Sequence, residues 1–182
     1  MPIEENEKKL AELILYISQK CAHDPDFGAT KLNKILYFSD FFAFGNWGES
    51  ITGAEYQNLR RGPAPRRLLP VRDQLKSDGA LVIQPVYLLS GFVQHRTVNL
   101  REPDLKDFKA REIALVDHVI DQLSGLSAIQ TSELSHQYVG WKATREYETI
   151  PYETIFFSDA PPTESDIRRA KEIMAEEELE VA

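Results

Sequence analysis

The run Lys31-Leu-Asn-Lys-Ile-Leu-Tyr-Phe-Ser-Asp40, continued by Phe41-Phe42-Ala43-Phe44, sets the terms for any fold this chain can adopt. Its spacing predicts a helix from about Thr30 to Phe44, with the Thr30 hydroxyl as the cap. Leu32, Ile35, Leu36, Ser39, Phe42 and Ala43 lie near one face. Tyr37, Phe38 and Phe41 spread the apolar surface further round. A helix apolar on more than one side has to be wrapped by other elements. The chain has 182 residues, 42% of them hydrophobic, which is enough to do this within one unit. We expect a single domain over 1–182, with its core at about 8–175 and short charged tails.

The other elements follow from periodicity and punctuation. Leu10, Leu13, Ile14 and Ile17 predict a helix over about 5–22, ended by His23-Asp24-Pro25-Asp26. Gly45-Asn46-Trp47-Gly48 is expected to break the central helix. Residues 52–59 fit a short helix or an extended piece equally well. Gly62-Pro63-Ala64-Pro65 reads as a rigid turn. A helix should follow to Ser77, starting late or kinked because of Pro70. Strand formers from Ala80 to Leu100 predict a β-hairpin at about 80–89 and 92–100, turning at Ser90-Gly91, with Pro85 marking an edge strand. Helices are expected at 108–124, closed by Gly125, and at 128–138. Ile150 to Phe157 is an apolar stretch. Thr163 with Asp166 resembles a capping box that opens a last helix to about Glu178. The fold class is mainly α with a small β-hairpin (α+β). Three helices followed by a hairpin give a compact helical domain with a winged-helix-like outline.

Composition excludes several roles. The formal net charge is -8, the opposite of the basic surplus that general nucleic-acid binders carry. One cysteine, Cys21, allows no internal disulfide and fits a reducing compartment. No apolar run approaches the ~20 residues of a membrane span, and early glutamates are wrong for a secretory signal. We expect a cytoplasmic protein with no membrane partner.

Chemistry-bearing residues do not converge. His23, Asp24 and Asp26 lack a second set of groups at ligand spacing, so no metal and no cofactor is expected. Ser135, His136 and Asp40 could be arranged as a hydrolase triad, but no strained Gly-x-Ser-x-Gly turn accompanies them. We expect no catalytic residues and no enzyme activity. A hydrogen bond between His136 and Asp40 would instead hold the scaffold. Cys21 reads as a small buried hydrophobe. Arg60, Arg61, Arg66, Arg67 and Arg72 form the basic cluster. It fits a solvated face, an acidic partner or phosphate. Trp47, Tyr56, Tyr138, Trp141, Tyr147 and Tyr152 either anchor an interface or plug the ends of the core.

One ordered series carries a resemblance. It comprises Lys31 to Asp40, Gly48, Ile51-Thr52, Glu55-Tyr56, Arg61-Gly62-Pro63, Leu75 with Gly79-Ala80-Leu81, and Leu134-Ser135-His136 with Trp141. Together these residues resemble the Panacea (SocA-like) antitoxin family over about 8–175. The resemblance implies a mainly helical protein that neutralises a protein toxin by direct binding, in a bacterial or phage-associated toxin–antitoxin system. A protease adaptor that delivers a bound protein for degradation is one alternative. A winged-helix DNA-binding regulator is another, disfavoured by the acidic balance. Some relatives carry an added DNA-binding segment, for which the family-like region leaves no room here. Gly140-Trp141-Lys142 stands where relatives often have a small or acidic residue and a proline. Trp47, Tyr56, Arg61, Arg66 and Trp141 are the expected partner contacts. Asp40, Gly62, Pro63 and His136 are the expected scaffold.

Overall fold

The computed structural model describes residues 5–88 and 91–180. Its elements are α1 (Glu7–Lys20), α2 (Ala29–Trp47), β1 (Tyr56–Gln57), β2 (Ala64–Pro65), α3 (Leu68–Ser77), β3 (Leu81–Tyr87), β4 (Val93–Asn99), α4 (Ala110–Leu123), α5 (Ala128–His136), α6 (Val139–Ala143), a 3-10 turn (Tyr152–Phe156) and α7 (Glu164–Glu180). The chain is mainly helical with two small antiparallel β pairs. The expected order of three helices and a hairpin is present.

α2 runs through the middle. Leu32, Ile35, Leu36, Tyr37, Phe38 and Phe41 are all buried on it. α1, α4, α5, β2, β4 and the 3-10 turn pack around it. Its rings continue into neighbouring elements: Phe41 stacks on Tyr152 at 4.6 Å and meets Tyr56 edge-on at 5.6 Å. Burying a large apolar side chain contributes about 1.5–3 kcal/mol. This helix is therefore a major contributor to the core, alongside the buried face of α1.

The ends of α2 differ from expectation. The helix starts at Ala29 with Gly28 as its cap, so Thr30 already lies inside the first turn. It also runs through Gly45 and Asn46 and stops at Gly48, where φ is 71° and the amide donates to Phe44 O at 2.8 Å. Gly45 tolerates a helical position and serves close packing: an added Cβ would lie 3.3 Å from Ile155 Cγ1. α1 is capped by Asn6, whose side chain accepts from Lys9 N at 3.0 Å.

The ambiguous stretch 52–59 is extended. β1 pairs with β2, and Gln57 also bridges to Thr149. α3 starts late enough to place Pro70 in its first turn, where a missing N–H costs nothing. β3 and β4 pair from Leu81↔Asn99 to Tyr87↔Val93. Ser90, half of the expected turn, lies outside the described residues. Gln94 donates to Pro25 O and Arg96 to Ala22 O, tying the hairpin to the α1–α2 loop. Glu12 on α1 accepts from Arg101 at 2.6 and 2.8 Å, and this holds its carboxyl below the usual range despite burial. Ser127 and Gln130 form a capping box on α5. Thr163 and Asp166 form the expected one on α7. Among the described residues no hydrogen bond or ion pair joins α7 to the chain beyond its own cap at Thr163.

Candidate protein-binding site

Two buried polar arrangements on α2 position the surface above them. The first is centred on Asp40, which has no exposed area. Its carboxylate accepts from the Ile51 amide at 2.9 Å, the Thr52 amide at 2.8 Å, the Thr52 hydroxyl at 2.5 Å and the Tyr56 hydroxyl at 2.7 Å. Burial pushes the carboxyl above its ordinary range, while these donors pull the other way. The arrangement ties residues 51–56 to the central helix and so fixes where β1 begins.

The second is centred on Lys34. Its ammonium is buried, donates to Pro63 O at 2.9 Å, and has no carboxylate beside it among the described residues. Burial lowers its pKa to about 7. Gly62 sits against it with φ 87°, and an added Cβ there would meet Ser135 Oγ and lie 2.6 Å from Lys34 Cε. Only a glycine satisfies both the backbone angle and the space. Ser132 Oγ donates to Arg61 O at 3.0 Å, so α5 also grips this turn. Lys31, one turn earlier, is paired with Asp24 at 2.6 Å and donates to Leu126 O at 2.9 Å.

On the outside of this framework lies a groove of about 350 Å³ lined by Asn58, Arg60, Trp141, Lys142, Thr144 and Glu146. Asn58 organises it. Its side-chain nitrogen donates to Trp141 O at 2.8 Å and Thr144 O at 2.9 Å, and its main chain pairs with Glu148 O and Tyr147 N. The Trp141 indole N–H donates to Leu59 O at 3.1 Å, and its ring stacks on His136 at 3.8 Å. Lys142 pairs with Asp159.

The sequence-nominated contacts separate. Trp141 lines the groove, and Arg61 is exposed on the adjoining turn with no ion pair among the described residues. Tyr56 has to be corrected: it is fully buried, its ring packs among Tyr37, Phe41 and Tyr152, and its hydroxyl is spent on Asp40. It has no surface to offer a partner. Arg66 is partly exposed, but its guanidinium is spent along the surface on Glu55, Gln57, Tyr147 O and Thr149, where it braces the β1–β2 region. Trp47 is half-buried at the end of α2, with the Arg111 guanidinium 4.5 Å from its ring, and it does not line the groove. The arginine cluster is therefore not one patch. Arg66 and Arg67 pair with Glu55 and Glu7, while Arg60 and Arg61 remain open.

Of the expected scaffold residues, Asp40, Gly62 and Pro63 occupy the buried positions just described. The His136–Asp40 hydrogen bond does not form: Asp40 is saturated by other donors, and His136 stacks on Trp141 with Nε2 unpartnered. Burial, with a smaller contribution from Lys34, lowers the His136 pKa and so favours the neutral ring. Ser135 Oγ donates to Ser132 O at 2.7 Å. Ser135, His136 and Asp40 thus form no proton relay. Asp24 is engaged by Lys31, and no cluster of three or more His, Cys, Asp or Glu able to hold a metal occurs among the described residues. Cys21 is buried, and burial pushes its thiol up to about 12, which keeps it protonated. No described helix is long and apolar enough to cross a membrane.

Asn58 and Lys34 are the residues that sequence reasoning did not single out for this site, whereas Tyr147 stood among the candidate interface aromatics. Lys34 carried a signal, since a lysine in a helix apolar all round must be buried or reach a rim. Asn58 carried none, because its partners come from more than eighty residues away.

Residues 32–142, well over half of the chain, match the model of the antitoxin SocA-like, Panacea domain. The chain belongs to this family. No curated protein and no solved structure gives a match. Within this Panacea domain the matched stretch takes in both buried arrangements, and also Trp141 with the turn at Gly62. Membership in an antitoxin family points to a non-catalytic protein whose partner, in general terms, is a toxin.

Proposed function

We propose that this protein is an antitoxin that neutralises a partner toxin by direct protein–protein binding through the groove between the 58–62 turn and Trp141. The observation that carries the reading is the groove itself. The Trp141 ring and the open Arg60 line it, with Arg61 exposed on the adjoining turn, on a framework fixed by hydrogen bonds, in a chain that belongs to an antitoxin family. Rigid aromatic and arginine groups make effective anchors because little conformational entropy is lost on docking. A standard interface of about 1,600 Å² would spread well beyond the groove. The protein acts by occupying its partner and does no chemistry on it.

The test is capture of partners from the native host by the full chain, followed by co-expression with each captured protein. Relief of growth arrest by wild type, and its loss in Arg61→Glu, supports the reading. Arg61 is exposed and unpaired, so that variant leaves the fold alone. A chain that relieves no captured protein's toxicity defeats it. The adaptor alternative uses the same surface and predicts a protease-dependent shortening of the partner's half-life.

A further inference from the structure

Tyr147 is the one non-glycine residue with a positive φ, 70°, among the described residues. The left-handed region is costly for any residue with a Cβ, and this residue is bulky. The surrounding chain holds it there. Its amide donates to Asn58 O at 2.7 Å, its carbonyl accepts from Arg66 Nη2 at 2.6 Å, and the flanking Glu148 amide donates to Arg145 O at 3.0 Å. The ring returns little to the fold: it is 65% exposed, and among the described residues its hydroxyl makes no hydrogen bond and it stacks on no other ring. A strained backbone over-determined by its neighbours, carrying an unemployed aromatic ring, marks a position kept for something outside the chain. Asn58 pairs with Tyr147 through its main chain and with Trp141 through its side chain, so both aromatics are set by one residue at the groove.

The charge around them chooses the partner. Lys142 is paired with Asp159, but Arg60 and Arg61 are exposed with no ion pair among the described residues, so with Arg145 set against Glu146 and Glu148 the rim keeps a small positive balance on a chain of net charge -8. Building on the proposed function, we propose that Tyr147 is a preorganised anchor that acts with Trp141 and Arg60 to receive an acidic segment of the partner protein. The main chain under the ring is already fixed, so docking the ring orders the side chain alone, and the arginines select the negative partner.

Tyr147→Gly tests this, because glycine adopts the same φ without strain. The expected result is an unfolding midpoint equal to or above that of wild type, together with at least about tenfold weaker binding of the toxin recovered by co-expression. Tyr147→Phe should bind like wild type. Poly-L-glutamate should compete with the toxin, and Arg60→Glu should abolish that competition. Three results overturn the inference while leaving the antitoxin reading intact. These are wild-type affinity in Tyr147→Gly, no competition by poly-L-glutamate, and displacement by oligothymidylate in its place. Failure to recover any protein whose toxicity the chain relieves removes the antitoxin reading and this inference together.

Discussion

Asp40 and Lys34 are both ionisable, both buried and less than two turns apart on α2, yet their surroundings are opposite. Asp40 is met by two amides and two hydroxyls. Lys34 is met by one backbone carbonyl and packed side chains. A buried charge with its hydrogen bonds satisfied organises the chain around it. A buried cation with a single acceptor is a cost the fold carries for position. The first arrangement holds the approach to β1. The second sits under the Gly62–Pro63 turn, close to the surface that the groove presents.

The sharpest way to break this contrast is Asp40→Ala. It strands the Tyr56 and Thr52 hydroxyls and two amides, and should cost about 3–5 kcal/mol in urea denaturation. A loss under about 1 kcal/mol would mean that water reaches the pocket. Next is Gly62→Ala, where the positive φ and the contact with Ser135 and Lys34 should together cost about 2–3 kcal/mol, read in the same way. Asp40→Asn keeps one acceptor oxygen and the shape, so about 1–2 kcal/mol is expected. The smallest effect, and one of opposite sign, belongs to Lys34→Met. Replacing the ammonium by a thioether should leave stability at pH about 6 unchanged or raise it by up to about 1 kcal/mol.

The pH dependence follows from the sign of the Lys34 shift. Its folded pKa, about 7, lies below the ordinary 10.5. The unfolded chain therefore binds more protons between those values, and wild-type stability rises with pH across that window. The penalty is fully present below about pH 7 and fades towards about pH 10.5. Any advantage of Lys34→Met should shrink steadily from pH 7 to about 9, measured as a difference from wild type so that the tyrosines and Cys21 cancel. A constant difference would place the Lys34 charge in solvent.

Much of the fold was legible from local pattern. The apolar stripe of α1, the all-round apolar α2, the hairpin and the Thr163–Asp166 cap are each written in neighbouring residues. What misled was also local. Gly45-Asn46-Trp47 reads as a break, yet packing against Ile155 carries the helix on to Gly48. The five-residue α6 gave no periodic signal, being too short to show one. The groove was legible only in part. Trp141 and the Gly62 turn stood out as residue types, but whether an aromatic or an arginine faces outward depends on partners distant in sequence. Tyr56 turns inward, where Asp40 accepts its hydroxyl, while Arg66 folds along the surface onto Glu55 and the Tyr147 carbonyl.

α1 lies wholly before residue 32, where the family match begins, yet Leu10, Leu13, Ile14 and Ile17 have no exposed area and pack as part of the same core as α2. Transplanting the matched stretch alone into a chimera would leave one flank of the central helix bare to water. Recombinant fragments meant to carry the groove on an intact core should therefore begin no later than Asn6.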